Sequence, residues 1–116
     1  MRRPAAIVIV GLLASAVVAC SKGSPQVTCA DPTQTTTVDV REFSYTPACV
    51  EAASGSTLTI TDSGSQPHSF TVKGTEVNVM VPPGTQAQVP LGGVAPGTYR
   101  VVCTIHPQMV AALKVD

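Results

Sequence analysis

Apolar and polar residues alternate in short runs from Thr35 to the C-terminus. A period of two is typical of a strand that buries one face. The runs recur at intervals of roughly 8–12 residues with Gly and Pro between them, which favours an antiparallel sandwich or barrel. The pattern therefore predicts an all-β fold, with the inward-facing positions Val38, Val40, Leu58, Ile60, Phe70, Val72, Val77, Val79, Val81, Ala87, Val89, Leu91, Tyr99, Val101, Cys103, Leu113 and Val115. Met80, which lies among valines, is also assigned to the core.

The N-terminal segment has a different pattern. Arg2 and Arg3 precede an apolar run from Ala5 to Ala19. A positively charged start followed by an apolar run shorter than the roughly 20 residues of a membrane span is typical of a signal peptide. We therefore expect residues 1–19 to form a signal-peptide helix in the precursor and the remainder of the chain to be exported.

The end of this run, Val17-Val18-Ala19-Cys20, resembles the lipobox of bacterial lipoproteins. The resemblance implies cleavage before Cys20, a lipid on Cys20, and a cell-membrane location facing the periplasm or the extracellular side. The alternative is an ordinary secretory peptide cut nearby, with Cys20 an incidental thiol. Residues 20–34 are rich in Ser, Pro, Thr and Gly and are predicted to form a flexible tether. Residues 35–116 then form a single domain.

The net charge of the chain argues against nucleic acid as a partner. The chain has seven basic and seven acidic residues, and removal of Arg2 and Arg3 with the signal peptide leaves five against seven, a formal charge near −2. Such a chain has no basic face for nucleic acid and no strong field to steer a charged partner. We expect a monomer that binds no nucleic acid.

Four potential metal ligands stand out in the sequence. Cys103, His106 and Met109 recur at every third position of one short segment, and His68 lies 35 positions upstream of the cysteine. The chain has only these two histidines. Two imidazoles, one thiolate and a weak thioether are the donor set of a blue-copper electron-transfer site. The pattern predicts that these four residues bind one copper ion.

Local structure is compatible with this prediction. Residues 99–103 form a predicted strand that ends with Cys103 facing the core, and Pro107 then favours a turn. Residues 111–115 form the closing strand, while His68 begins another strand after a turn-prone segment. A ligand from a separate strand allows the folded sandwich to fix the geometry of the site.

Other interpretations of the same residues are weaker. A buried structural thiol at Cys103 beside a surface imidazole at His106 would not account for Met109 at the same spacing. Zinc is the rival metal, but methionine is a poor zinc ligand and no further cysteine or carboxylate completes a tetrahedral set. No paired carboxylates or Gly-x-Ser-x-Gly elbow indicate a hydrolase. Copper oxidases and nitrite reductases need additional histidines, so we expect an electron carrier and not an enzyme.

The four cysteines allow three complete pairings. If Cys20 is acylated and Cys103 binds metal, Cys29 and Cys49 remain for a disulfide across 20 residues. The alternative is a Cys20–Cys29 bridge that closes a small loop. In an oxidising compartment we favour Cys29–Cys49.

From Thr35 to Asp116 the chain resembles the cupredoxins, and its short Cys-x2-His-x2-Met loop is similar to that of amicyanins. The matching segments are Phe43–Pro47, Gly55–Ile60, Pro67–Phe70, Pro83-Gly84 and Pro96–Met109. The resemblance implies a Greek-key sandwich of about eight strands. It also implies ligation by His68, Cys103, His106 and Met109, and electron exchange through the exposed edge of His106.

Two positions depart from the family pattern. Many cupredoxins have Asn beside the first histidine, where it bonds the backbone around the cysteine loop, and this chain has Ser69. Amicyanins have an aromatic residue between the loop proline and methionine, and this chain has Gln108. We expect weaker support of the cysteine loop and a smaller or more polar docking patch around His106.

The resemblance implies a type 1 copper protein that shuttles single electrons between larger redox partners at the cell envelope. The alternative is a copper-binding module for copper buffering, sensing or delivery, which would use the same ligands.

Overall fold

The computed structural model describes residues 29–116. This part of the chain contains no helix and forms the strands β1 (Thr33–Gln34), β2 (Thr37–Arg41), β3 (Ser44–Thr46), β4 (Cys49–Ala52), β5 (Thr57–Asp62), β6 (His68–Val72), β7 (Asn78–Val81), β8 (Gln86–Pro90), β9 (Gly97–Val102) and β10 (Val110–Val115). The all-β prediction is confirmed. Ten strands form where about eight were expected, and the shortest two, β1 and β3, have only two and three residues.

The strands form two sheets that enclose the core. One sheet has six strands in the order β1-β4-β10-β9-β6-β7, and the other has four in the order β3-β2-β5-β8. Strands β2 and β5 lie side by side although β3 and β4 separate them in the chain. The chain therefore crosses between sheets, as the sandwich prediction requires.

Strand pairing is mixed, with most pairs antiparallel as the sequence pattern favoured. Three pairs run parallel: β1 with β4, β4 with β10, and β2 with β5. Alternation of apolar residues reports which face of a strand is buried, whatever direction its neighbour runs. The direction depends on crossovers between non-consecutive strands, which leave no mark on the period-two pattern.

The core consists of aliphatic side chains from both sheets, with Tyr45 and Phe70 as its buried aromatic residues. The register explains why Met80 is not among them. Met80 lies between Val79 and Val81 on β7, so its side chain points to the opposite face and is 50% exposed. The assignment of Met80 to the core is wrong, since strict alternation excludes it.

The N-terminal end of the described chain is attached to the domain. Thr33 and Gln34 pair with β4, so the sheet begins before the predicted boundary at residue 35. Cys29 and Cys49 form a disulfide with Cα atoms 5.5 Å apart, which confirms the favoured pairing. The signal peptide over residues 1–19 and the lipidation at Cys20 lie outside the described residues. Residues 29–116 contain no helix suited to crossing a membrane.

Candidate metal centre

Three strands meet at one end of the six-stranded sheet and present the predicted ligands there. His68 is the first residue of β6, and Cys103 directly follows β9. Residues 103–109 form the connection between β9 and β10, whose strands pair from Val102 and Val110 onward. Because β6 also pairs with β9, the start of β6 lies beside this connecting loop.

The structure brings His68, Cys103 and His106 together. Their ligand atoms all lie within 4.8 Å of one another, and the group can hold a metal ion. Cys103 Sγ lies 3.6 Å from Nδ1 of His106, which places that ring nitrogen on the inner side. The two imidazole rings have centroids 5.0 Å apart. His68 and Cys103, which are 35 positions apart in the chain, therefore lie together with His106. The sequence predicts this convergence.

The burial of His68 tests whether a metal fits this site. His68 is completely buried, and neither of its ring nitrogens has a hydrogen-bond partner among the described residues. A buried polar atom without a partner costs roughly 1–3 kcal/mol. Copper coordination would give one of these two nitrogens a partner, and the thiolate and second imidazole would complete three donors that copper favours. The residues fit one copper ion.

The backbone of Met109 is hydrogen-bonded to Cys103 and His106, the other two predicted ligands in the loop. Its backbone N–H donates to the carbonyl of His106 at 2.9 Å, and its carbonyl accepts from the N–H of Cys103 at 3.2 Å. The side chain of Met109 is completely buried. These contacts fix the backbone of the three loop residues relative to one another. Ligation by the Met109 thioether stays a prediction.

Ser69 joins the two segments that supply the ligands. Its backbone N–H donates to Cys103 Sγ at 3.3 Å, and its Oγ accepts the backbone N–H of Thr104 at 2.8 Å. The loop hydrogen bond is thus present with serine where many cupredoxins have asparagine. A hydrogen bond to the cysteine sulfur is one of the features that tune the reduction potential of such a site.

Further hydroxyl groups orient the Ser69 side chain. Thr71 Oγ1 donates its single hydrogen to Asn78 Oδ1 at 2.9 Å. The 3.0 Å contact between Ser69 Oγ and Thr71 Oγ1 must therefore use the hydrogen of Ser69. The lone pairs of Ser69 Oγ then remain available to the cysteine loop, including Thr104 Oγ1 at 3.3 Å.

Tyr45 supports the same strand from the opposite sheet. Its hydroxyl donates to the carbonyl of Ser69 at 2.7 Å, and its ring packs edge-on against Phe70. Burial raises the pKa of Tyr45, and the negative charge of the Cys103 thiolate raises it further. The phenol therefore stays a neutral donor that holds the β6 backbone behind His68.

The outer side of His106 is contacted by two residues that no motif in the sequence marks as part of the site. Nε2 of His106 lies 3.2 Å from Gln66 Oε1, and the Phe43 ring packs edge-on against the imidazole with centroids 5.0 Å apart. Phe43 is 56% exposed and has a φ of 64°. Left-handed backbone costs a non-glycine residue roughly 1–2 kcal/mol. No sequence signal marks such strain at a phenylalanine.

Comparison with known proteins agrees with this geometry. A family model described as "Cupredoxin-like domain" matches residues 6–115. No curated protein sequence shows significant similarity to the chain. Among solved structures, a novel purple cupredoxin from Nitrosopumilus maritimus is 18% identical, with a TM-score of 0.59 over 71% of this chain and 100% of that one.

Two further structures are informative. Amicyanin from Paracoccus versutus is 22% identical, with a TM-score of 0.59 over 70% of this chain and 80% of that one. A copper-containing nitrite reductase from Thermus scotoductus is 20% identical, with a TM-score of 0.55 over 70% of this chain and only 22% of that one. These likenesses establish the fold, and the family match covers nearly the entire sequence. The chain therefore belongs to the cupredoxin-like family.

Proposed function

We propose that this protein is a type 1 copper electron carrier, which passes single electrons between larger redox proteins at the cell envelope. The observation that carries the proposal is the convergence of His68, Cys103 and His106 at one end of the sandwich. His68 and Cys103 are buried, while His106 is only partly buried. The arrangement combines a protected metal position with one ligand at the surface, which suits electron exchange with a partner protein.

The chain's own residues determine how such a site would work. Copper, when bound, supplies the one-electron couple between Cu(I) and Cu(II), with Met109 proposed as the weak fourth ligand. Hydrogen bonds from Ser69 and the loop backbone restrict movement of the ligands. Since the two oxidation states prefer different coordination, a site that cannot rearrange changes little during electron transfer. Apolar surroundings exclude water from His68 and Cys103, and this exclusion of water would tune the reduction potential of bound copper.

The surface around His106 is the proposed site of contact with redox partners. Phe43 and Ile105 are 56% and 48% exposed and provide apolar area there. No Lys or Arg occurs in residues 64–70 or 103–109, and Arg41 and Glu42, which precede Phe43, carry opposite charges. We therefore expect small, brief encounters whose rates depend weakly on salt.

The proposed location rests on the N-terminal sequence. The apolar run before Cys20 supports export and lipidation, and the Cys29–Cys49 disulfide is of the kind that persists in oxidising compartments. The apolar run favours a cell-membrane lipoprotein, and the disulfide favours a domain that faces the periplasm or the extracellular side. Mass spectrometry of the membrane fraction tests this, because a diacylated Cys20 at the N-terminus is expected and an unmodified, soluble chain would contradict it.

Protein-film voltammetry tests the electron-carrier function. The copper-loaded chain should exchange one electron reversibly with an electrode, and the signal should disappear in Cys103→Ser. Copper transfer to a chelator or acceptor protein is followed in parallel. Copper that leaves readily, without a reversible electrode signal, would contradict the carrier and favour the copper-delivery alternative.

A further inference from the structure

The β2–β3 turn and the β5–β6 loop are linked by one carboxylate. Glu42 Oε1 accepts two hydrogen bonds from Ser65, from the backbone N–H at 2.5 Å and from Oγ at 2.7 Å. Both bonds lower the pKa of Glu42 to about 2, so the group is ionised at neutral pH. Hydrogen bonds to an ionised acceptor are stronger than those between neutral groups. The two loops are therefore joined directly beside the metal centre.

Each joined residue is followed by one that contacts His106. Phe43 follows Glu42, and its ring packs at 81° against the imidazole. Gln66 follows Ser65, and its Oε1 lies 3.2 Å from His106 Nε2. The link thus presents an aromatic ring and an amide oxygen to the same imidazole. Left-handed backbone at a bulky residue persists where the surrounding structure enforces it, and such residues cluster at functional sites.

We propose that Phe43 and Gln66 act as positioning residues that hold the His106 imidazole with its Nδ1 on the metal side. An amide oxygen only accepts, so the Gln66 contact requires a hydrogen on Nε2. The neutral ring then has its lone pair on Nδ1, the atom 3.6 Å from Cys103 Sγ. Metal-bound histidines commonly donate their other ring N–H to such a partner, which fixes both tautomer and orientation.

The Phe43 contact restricts a different movement. The hydrogen bond to Gln66 alone allows the imidazole to rotate about the Nε2 atom, and packing against the Phe43 ring restricts that rotation. His68 is a second ring neighbour of His106, with its centroid 5.0 Å away and its plane tilted by 49°. His106, partly buried on a loop, is thereby in contact with three neighbouring side chains, those of Gln66, Phe43 and His68. The consequence for copper rests on the proposed function, whereas the ring orientation is a property of the chain itself.

Three variants and one control test this proposal in the full chain. Gln66→Leu removes the acceptor, and Phe43→Asn removes the ring with a residue that tolerates left-handed backbone. Glu42→Gln weakens the link to Ser65 and touches no atom of His106. Gln34→Leu is the control, since Gln34 is an exposed glutamine on β1, at the far edge of the sheet from β6.

The first readout is nitrogen NMR of the His106 ring in the metal-free chain, which identifies the nitrogen that carries the hydrogen. Wild type and Gln34→Leu should show the hydrogen on Nε2, and Gln66→Leu should show a mixture. Phe43→Asn and Glu42→Gln should broaden the ring signals by exchange. The second readout is Cu(I) affinity by competition with a chelator, which Gln66→Leu should weaken about 10-fold.

The outcomes separate this proposal from the proposed function. Ring signals in all three variants that match those of Gln34→Leu would overturn the positioning role. The predicted NMR changes in a chain that binds no copper would support the positioning role and contradict the copper function.

Discussion

The Ser69 hydroxyl oxygen accepts the backbone N–H of Thr104 at 2.8 Å and so ties the strand that begins at His68 to the loop that begins at Cys103. This bond connects the two parts of the site that are most distant in the sequence. It shows how a loop of seven residues can hold its ligands without disulfides or ion pairs of its own.

Ser69→Ala should destabilise the metal-free domain by about 1 kcal/mol, because the Thr104 N–H loses its partner. Urea unfolding measures the change in free energy. Ser54→Ala, at an exposed serine in the β4–β5 turn, is the matched control and should change stability by less than about 0.5 kcal/mol. Equal stabilities of the two variants would show that the Ser69 bond does not hold the loop.

Met109→Leu should raise the reduction potential of the copper-loaded protein. A thioether donor stabilises the more highly charged Cu(II) more than Cu(I), and leucine removes this donor at nearly the same volume. Met109 is completely buried, but leucine fills nearly the same volume, so the free energy of unfolding should fall by less than about 1.5 kcal/mol. Voltammetry measures the reduction potential, and an unchanged or lower value would exclude Met109 as the weak fourth ligand.

Replacing both Cys29 and Cys49 by serine should lower the free energy of unfolding by about 3 kcal/mol, since the disulfide closes a 20-residue separation. The visible spectrum of the copper form should not change, because neither cysteine belongs to the site. Chemical denaturation and absorption spectra check the two parts separately. A lost spectrum in a folded variant would mean that the bridge also shapes the metal centre.

Glu42 predicts a specific pH dependence of stability. Its pKa falls from 4.5 to about 2 in the folded protein because Ser65 donates two hydrogen bonds. A carboxyl group whose pKa is lower in the folded protein stabilises the fold at pH values above its pKa in the unfolded chain. This stabilisation is lost as pH falls from 4.5 towards 2. Wild type should therefore exceed Glu42→Gln in stability at pH 7, and the difference should vanish near pH 2. Urea unfolding across this range measures the difference, and a constant gap would contradict the assignment.

The fold could be predicted from the sequence where a strand buries one face. Val38 and Val40, or Leu58 and Ile60, identify β2 and β5 because one face of each strand is buried. The short strands β1 and β3 offer too few residues for a period to show. Parallel pairing of β2 with β5 could not be predicted, since it depends on where the chain crosses between sheets.

The site followed from residue chemistry, since Cys103, His106 and His68 are rare residue types with soft or borderline donor atoms. Gln66 and Phe43 could not be found in this way. Amide and phenyl groups are common on surfaces, and their roles arise only because the Glu42–Ser65 link brings two loops to His106. Ser69 departs from the asparagine of many cupredoxins, and its hydroxyl contacts could not be predicted because they depend on the register of β6 beside β9.

Titration of the metal-free chain with Cu(II), followed by visible absorption, tests the central claim most directly. His68, Cys103 and His106 should bind one equivalent of copper and produce an intense thiolate-to-copper band that saturates at that ratio. Cys103→Ser should abolish the band while the domain stays folded by circular dichroism. A wild-type chain without the band, or a band that survives in Cys103→Ser, would contradict the claim.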